Sequence, residues 1–357
     1  MADAFDKILG CLAASQIGSA MGAAVEGWPW RKIQEQHGRL ERLLEYEHYG
    51  NGWKRPPGTT EDGIEWQRVF LRAIRRAGGR PTAEDVAAVW RDEVDAEKAD
   101  WCMEPFDRRL VRLAKAGVAA AELGRFSPHT SIVSLARSCH PIGLVNAGDP
   151  GGAAANVRDV GRVLQAPLGD GLEWAAVVAA GLAAALEPEA TVDSVLEAAR
   201  GAAPERLHGE IDRAVDIGGA ATGLAEAVAM REAFDGLYGG HGIRYGMSHA
   251  NEVVSKGLAV FKATAGNPRE AVVAGVNFGR DTDCLAAVAG GLAGALAGAG
   301  PLDGEWMAQA DAATEGNPYT NLKLPLEAQA EIVRDVLRAE GARAAARAEQ
   351  LERILCG

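Results

Sequence analysis

The chain has 357 residues, of which 48% are hydrophobic, so it can bury a large core. It carries 37 Lys and Arg against 49 Asp and Glu, a formal net charge of −12, which argues against nonspecific binding to nucleic acid or to an anionic membrane. The five cysteines are widely spaced and include no C-x-x-C pair, which argues against a disulfide framework or a structural zinc site and favours a cytoplasmic protein. A small molecule or a protein is the better match as a substrate.

Neither a secretory signal nor a membrane span is expected. The N-terminus carries Asp3 and Asp6 against only Lys7, whereas a signal peptide begins with a positive region. The longest apolar run, residues 284–300, is shorter than the roughly 20 residues that a membrane span needs. We expect this run to form a buried helix.

Helical periodicity dominates the rest of the chain, and little or no sheet is expected. Thr82 with Glu84 and Asp85, and the run Asn267-Pro268-Arg269-Glu270, are typical of helix starts. The predicted helices cover residues 4–24, 61–77, 83–93, 105–116, 173–187, 192–202, 205–233, 248–264, 268–276, 282–298 and 326–352. Loops are expected around residues 50–60, 124–130, 140–152 and 236–247. Because no linker divides the chain, it is expected to form one all-α domain over residues 1–357, with 326–352 as a peripheral C-terminal helix.

Two short acidic loops lead into predicted helices, Thr60-Glu61-Asp62 and Asp281-Thr282-Asp283. Carboxylate and hydroxyl oxygens are the ligands that hard cations such as Mg²⁺ take. Four carboxylates in one pocket would repel one another unless a dication compensated their charge. Alternatively, either loop alone is explained by acids that favour the positive end of a helix dipole.

A third carboxylate ends a stretch of small residues, GSAMGAAVE at 18–26. Small residues allow helices or a ligand to approach closely. Glu26 faces the unfavourable end of its predicted helix dipole, so it needs either surface exposure or a function to explain it.

These three stretches, GSAMGAAVE, TEDG at 60–63 and GRDTDC at 279–284, occur in the order of three motifs of the ADP-ribosylglycohydrolase family, which the chain resembles. The family motifs are G-D-A-x-G-x-x-x-E, T-D-D-T and G-G-D-T-D-T, the last followed by an Ala- and Gly-rich helix, here LAAVAGGLAGA. Residues 134–149, SLARSCHPIGLVNAGD, also look like the family's middle segment. The resemblance covers residues about 5 to 300.

The resemblance implies an all-α orthogonal bundle with a binuclear Mg²⁺ or Mn²⁺ centre in a cleft. In that family the metals hold the ribose hydroxyls while water attacks the anomeric carbon and releases ADP-ribose. Glu26 matches the cleft glutamate that acts on substrate or water. The implied metal ligands are Thr60, Glu61, Asp62, Asp281 and Asp283. The implied partner is a ribosyl or ADP-ribosyl compound, free or attached to a protein.

The chain departs from the family motifs at five positions: Ser19 and Glu61 replace Asp, Gly63 replaces Thr, Arg280 replaces Gly, and Cys284 replaces Thr or Ser. Glu61 adds a methylene to a ligand, and Cys284 offers soft sulfur where a hard cation takes a hydroxyl, so the site holds two ions or only one. Cys284 is either a ligand or a neighbour of the ligands. Arg280 either neutralises the acidic loop or binds a phosphate or carboxylate of the substrate. The second alternative predicts a substrate other than protein-linked ADP-ribose.

Other residues are candidates for lining the cleft, and each has a structural alternative. Ser19 lies in the first motif, and Trp28 follows Glu26 and would form a rigid wall. Trp101 would stack on a base, with Glu104 close to it in sequence. His140 and Asn146 belong to the middle segment, where a buried structural role is the alternative.

The leading hypothesis is a metal-dependent hydrolase of an N-glycosidic bond in an ADP-ribosylated or smaller, (phospho)ribosylated substrate. The main alternative is a catalytically impaired relative with a ligand-binding or structural role. A class I terpene synthase is also all-α and uses Mg²⁺. The low aromatic content of 6%, and a TEDGIE sequence that lacks the D-D-x-x-D spacing, argue against it.

Overall fold

The structure is a computed structural model that describes residues 2–48, 50–238 and 246–356. Regular structure in these residues is almost entirely helical, which confirms the predicted all-α class. The helices are α1 (Ala4–Ala23), α2 (Trp30–His37), α3 (Asp62–Ala77), α4 (Ala83–Glu93), α5 (Ala96–Cys102), α6 (Pro105–Lys115), α7 (Ala120–Leu123), α8 (His140–Val145), α9 (Pro150–Val160), α10 (Gly171–Ala185), α11 (Val192–Ala202), α12 (Glu205–Gly219), α13 (Gly223–Ala229), α14 (Arg231–Asp235), α15 (Ala250–Ala263), α16 (Pro268–Val276), α17 (Thr282–Ala297), α18 (Gly304–Gly316) and α19 (Leu326–Cys356). A short antiparallel hairpin joins β1 (Tyr46–Glu47) to β2 (Lys54–Arg55).

The helix starts that the sequence indicated are present. Thr82 and Asp85 form a reciprocal capping box at the start of α4. The Asn267 side chain accepts a hydrogen bond of 3.1 Å from the backbone N–H of Glu270 at the start of α16. Local side-chain to backbone bonds therefore fix these boundaries, as expected from the sequence.

Two sequence predictions are corrected by the structure. The predicted helix at 205–233 ends at Gly219 and resumes as α13 and α14, because Gly223 has a φ of +76°, a left-handed conformation that interrupts a helix. The expected loop at 140–152 instead contains α8 and the start of α9. Their prolines lie in the first turn, where the missing N–H costs nothing. The hairpin and helices α2, α5, α7 and α18 were not predicted from the sequence. Residues 239–245 of the predicted loop at 236–247 lie outside the described residues.

Helices α1 and α17 pack against each other along their lengths at the centre of the molecule. All residues from Gly10 to Ala23 and from Thr282 to Ala295 are buried. At Gly22 the two helices are in direct backbone contact, because an added Cβ would lie 2.4 Å from the backbone N of Asp283. This close approach brings the end of α1, and therefore Glu26, next to the acidic loop that begins α17.

Helix α19 packs on α1, α3 and α8 through its first half, where Leu326, Ala330 and Val333 are buried. Its residues 341–356 are all exposed. Among the described residues, no helix is both long and apolar enough to cross a membrane. The extent of a single domain over 1–357 stays a prediction.

Candidate active site

A small cavity of about 160 Å³ lies where α1, α3 and α17 bring the acidic residues together. It combines carboxylates with apolar side chains, as binding sites for small polar molecules do. The lining residues are Glu26, His48, Glu61, Asp62, Glu104, Phe106, Ile132, Val133, Ser134, Arg137, Met247, Ser248, Asp283 and Cys284. Most of the predicted acidic ligands therefore do meet in one place.

Asp281, Asp283 and Cys284 form a compact group that is suited to a cation. One ligand atom from each lies within 4.8 Å of the others, and all three side chains are buried. Asp281 Oδ1 caps α17 by accepting a hydrogen bond of 3.3 Å from the N–H of Cys284. Asp281 Oδ2 and Asp283 Oδ1 are buried and make no hydrogen bond within the described part of the chain. Because an unsatisfied buried carboxylate oxygen is costly, these two atoms fit a bound cation.

The other acidic loop is held by hydrogen bonds from neighbouring elements. Ser19 Oγ accepts a hydrogen bond of 3.3 Å from the N–H of Glu61, so Ser19 positions this loop from α1. The Tyr46 hydroxyl donates to the Glu61 carboxylate, and Arg55 Nε lies 3.9 Å from the same carboxylate. Thr60 is buried at the same turn. Glu61, which lines the cavity, is therefore held by Tyr46 and Arg55 of the hairpin.

Arg137, which was not among the predicted site residues, joins the two acidic loops. Its Nη1 and Nη2 atoms lie 2.5 and 2.6 Å from the two carboxylate oxygens of Asp62. Nη1 also lies 3.6 Å from the sulfur of Cys284 and 3.9 Å from Asp283 Oδ2. The available signal was a lone basic residue in the otherwise uncharged run SLARSCHPIG.

Glu26 lies just beyond α1, and its side chain is 18% exposed. Its Oε2 is 3.5 Å from Nδ1 of His48. Burial, and then the charges of Asp283 and Asp281, raise the pKa of Glu26 well above its usual range. Burial and Asp281 raise the pKa of Asp283 in the same way. Without a compensating charge, these carboxyls keep their protons to a higher pH than usual.

The loop after Glu26 is joined to the loop before Asp281 by two backbone hydrogen bonds. The N–H of Gly27 donates to the carbonyl of Arg280 over 2.8 Å, and the N–H of Arg280 donates to the carbonyl of Trp28 over 2.7 Å. Any displacement of one loop therefore moves the other. These two hydrogen bonds therefore fix the position of Glu26 relative to Asp281 and Asp283.

The Arg280 side chain pairs with Glu252 of α15, and it is not among the residues that line the cavity. Its Nε and Nη2 lie 2.6 and 2.9 Å from the two Glu252 oxygens. Lys256 Nζ lies 2.6 Å from the same carboxylate, which is the structural ion pair expected at this spacing. The sequence interpretation was that Arg280 either neutralises the acidic loop or binds a substrate anion, whereas the observed ion pair neutralises Glu252 of α15.

The other predicted cleft residues separate into two groups. Glu104 lines the cavity, whereas Trp28 and Trp101 do not. The Trp28 ring lies 3.5 Å from Lys32 Nζ. Trp101 stacks on Tyr319 with ring centroids 4.5 Å apart. Both tryptophans therefore use their rings in contacts with protein side chains.

His140 and Asn146 lie in the buried interior and form internal hydrogen bonds. His140 Nε2 lies 3.1 Å from the carbonyl of Ala287, and its Nδ1 lies 3.1 Å from the amide of Gln67. Burial lowers the pKa of His140 to about 4, so the ring is neutral near pH 7. The Asn146 amide donates to the carbonyl of Ile142 over 2.8 Å. For these two residues, the structural alternative describes the observed contacts.

Comparisons with known proteins give the family and the fold of the chain. The profile of the ADP-ribosylglycohydrolase family matches residues 1–343. A solved structure described as an ADP-ribosylglycohydrolase-related protein complex has a TM-score of 0.65 to this chain, covering 94% of it and 99% of the other chain. Its sequence identity of 20% supports the fold alone. A search of curated proteins finds no match. Because the profile spans nearly the whole sequence, the chain belongs to the ADP-ribosylglycohydrolase family.

Proposed function

We propose that this protein is a divalent-cation-dependent glycohydrolase that cleaves the N-glycosidic bond of a ribosyl compound. Membership of a glycohydrolase family supports the reaction class. The observation that carries the proposal is the convergence of four carboxylates on Glu26, since the charges of Asp283, Asp281, Glu61 and Asp62 all raise the pKa of its carboxyl. Such a concentration of buried acids destabilises the fold unless a bound cation compensates the charge. Clusters of this kind are typical of functional sites.

Asp281 and Asp283 would hold the Mg²⁺ or Mn²⁺ ion, with Cys284 beside them and with Thr60 and Glu61 as further oxygen donors. The observation that supports this assignment is that Asp281 Oδ2 and Asp283 Oδ1 are buried and have no hydrogen bond to any described residue. When bound, such an ion holds sugar hydroxyls and makes a water molecule more acidic.

Glu26 is the group that would exchange a proton with the substrate or water. Burial and the neighbouring carboxylates raise the pKa of Glu26, so its carboxyl keeps a proton to a higher pH than an ordinary glutamate, and a nearby positive charge would shift it towards the carboxylate. The remaining carboxylates would stabilise the positive charge that develops on the sugar ring as the bond to the leaving group breaks. His48, 3.5 Å from Glu26, is placed to influence the same carboxyl.

The size of the cavity supports a compact reacting group. Pockets that enclose drug-sized molecules are roughly 300–1,000 Å³, whereas this cavity is about 160 Å³. A single ribosyl group would therefore occupy it, with any ADP or protein portion of the substrate outside. Phe106, Ile132 and Met247 would contact the less polar side of the sugar.

The test is to incubate the protein with Mn²⁺ or Mg²⁺ and a panel of ADP-ribosyl-arginine, ADP-ribosyl-serine, ribosyl and phosphoribosyl N-glycosides, and to measure released sugar. We expect release that EDTA abolishes, and a decrease of roughly 100-fold or more in Glu26→Gln, because general acid–base catalysis contributes at least that much. Asp281→Asn should keep the cap of α17 but lose the ion. Glu173→Gln, which alters an ion pair with Arg158 outside the cavity, is the control.

If the protein binds the ion but releases sugar from none of these compounds, the catalytically impaired relative is the better description. If Asp281→Asn binds the ion as tightly as the wild type, the assigned ligands are wrong. Calorimetric titration with Mn²⁺ measures that binding without relying on turnover.

A further inference from the structure

The Arg137 guanidinium lies between the two acidic loops, where the resemblance to the family implies a centre of two metal ions. We propose that this guanidinium takes the place of one of those ions, so that the chain binds one divalent cation fewer than a binuclear site. This inference rests on the cation site of the proposed function. It concerns the number of ions, however, and its test does not require catalysis.

Asp62 fits the guanidinium and not a second metal ion. Both of its carboxylate oxygens are bound by Arg137, over 2.5 and 2.6 Å, in the two-pronged arrangement that arginine favours. An ion that used Asp62 would have to share these two oxygens with the guanidinium or displace it. Asp281 and Asp283, in contrast, each keep one buried oxygen without a hydrogen bond in the described chain. The residues present thus fit one cation at the α17 loop and a guanidinium at the α3 loop.

The two positions at which the chain loses a motif hydroxyl both adjoin Arg137. A Cβ added to Gly63 would lie 3.0 Å from Arg137 Cδ and 3.2 Å from its Cγ, so a threonine here would crowd the arginine side chain. The Cys284 sulfur is 3.6 Å from Nη1. Gly63 lacks the motif hydroxyl and leaves room for the methylene chain of Arg137. Cys284 places sulfur instead of oxygen next to the Arg137 guanidinium. A single substituting cation accounts for both departures.

The charge and burial of Arg137 suit this role. A guanidinium stays protonated throughout the accessible pH range, so it is a permanent positive charge. The Arg137 side chain is only 10% exposed, and its Nη1 lies 3.9 Å from Asp283 as well as against Asp62. It therefore balances charge in both loops. Unlike a metal ion, a guanidinium cannot coordinate a ligand. It offers a molecule bound near Asp62 only N–H hydrogen-bond donors.

The experiment counts Mn²⁺ ions on metal-stripped protein by native mass spectrometry and calorimetric titration. We expect Arg137→Gln to bind one more ion per chain than the wild type. Its thermal midpoint should be lower than that of the wild type in EDTA and should rise more on addition of Mn²⁺, since the ion then compensates Asp62. Arg158→Gln is the matched control, because it breaks another partly buried ion pair, with Glu173, and should leave the count unchanged.

Two Mn²⁺ ions on the wild type, or equal counts for the wild type and Arg137→Gln, would overturn the proposal. If Arg137→Gln does not fold, the wild-type count still decides, and Arg137→Lys, which keeps the charge, should retain that count. A wild type that binds one ion but hydrolyses nothing leaves this inference standing while the proposed activity fails. If the wild type binds no ion and Arg137→Gln binds one, the inference about Arg137 is supported, but the cation site assigned to Asp281 and Asp283 in the wild type is wrong.

Discussion

Asp281 uses one carboxylate oxygen to cap α17 and leaves the other buried and without a hydrogen bond in the described chain. The sequence offered helix capping and metal binding as alternatives for this loop, but at the level of atoms they are compatible. Glu61 differs, because its side chain makes no cap bond and binds Tyr46 instead. A side-chain cap is therefore present in one acidic loop and absent from Glu61 in the other, although Asp62 lies in the first turn of α3, where the helix dipole favours an acid.

Asp107 provides a pH test of the buried acids beside the cavity. Burial, and then the charge of Asp62, raise the pKa of Asp107 from 3.8 to about 8. Above pH ~4 the unfolded chain releases this proton while the folded chain retains it, so the free energy of unfolding falls as pH rises towards 8. Asp107→Asn keeps an oxygen to accept the 3.0 Å hydrogen bond from Trp66 Nε1 and removes this loss.

We therefore expect Asp107→Asn to be more stable than the wild type at pH 8 by on the order of a few kcal/mol, and nearly equal to it at pH 4. Urea unfolding in EDTA at pH 4, 6 and 8 measures the difference. Parallel profiles for the two proteins would contradict the assignment.

Arg280 allows a second test, which separates its two interpretations. If the Arg280–Glu252 pair only balances charge, Arg280→Gln lowers the free energy of unfolding by roughly 1–3 kcal/mol, because Glu252 loses a hydrogen-bonded partner, and leaves KM unchanged. If Arg280 binds a substrate phosphate, KM rises for phosphorylated compounds and not for ribosyl compounds without phosphate. We expect the first result. Lys256 still pairs with Glu252 in the variant, which limits the loss of stability.

At the scale of elements, the sequence predicted what local chemistry determines. The starts of α4 and α16 follow from Thr82 and Asn267, whose side chains bond within their own first turns. Helix α8 was missed because its six residues include a proline and a glycine, although Pro141 is compatible with a first turn. Arg137 was missed for a different reason, since its partners lie 75 and 147 residues away in sequence. No local pattern indicates such contacts.

The packing of α1 on α17 makes a third prediction. A methyl group at position 22 would lie 2.4 Å from the backbone N and 2.5 Å from the Cα of Asp283, where only backbone movement relieves the overlap. Gly22→Ala should therefore lower the free energy of unfolding by about 3 kcal/mol and weaken Mn²⁺ binding, because Asp283 is displaced. Gly209→Ala, at an exposed position inside α12 with no described atom within 4 Å of the added group, should be stabilising by roughly 0.5–1 kcal/mol. Equal stabilities for the two variants would show that the helices separate easily.

At the scale of the whole molecule, the site is assembled from distant parts of one chain. Glu26 follows α1, Asp62 begins α3, Arg137 precedes α8, and Asp283 lies in the first turn of α17. The motifs identified the acids because each motif is short and contiguous. Their separation in space, and the guanidinium between them, depend on how α1, α3 and α17 pack, so these features emerged only in the folded chain.

The C-terminal helix makes the last prediction, because its two halves differ in burial. Residues 341–356 are exposed, their contact with the body includes a 2.8 Å hydrogen bond from Arg343 to the carbonyl of Gly78, and the family profile ends at residue 343. Ending the chain before residue 341 should change the free energy of unfolding by no more than about 0.5 kcal/mol and leave Mn²⁺ binding intact. Ending it before Leu326 removes buried side chains that pack on α1 and α3, and should cost more than about 4 kcal/mol or prevent folding.

Urea unfolding of both truncated proteins, with light scattering to measure molecular mass, tests this difference. The exposed half carries Leu351, Ile354 and Leu355, which are 39%, 64% and 81% exposed. If ending the chain before residue 341 halves the molecular mass per particle and also lowers the stability, those side chains join two copies of the chain and α19 is not peripheral. An unchanged mass with unchanged stability places the whole energetic contribution of α19 in its first half, on the face that supports α1 and, through it, Glu26.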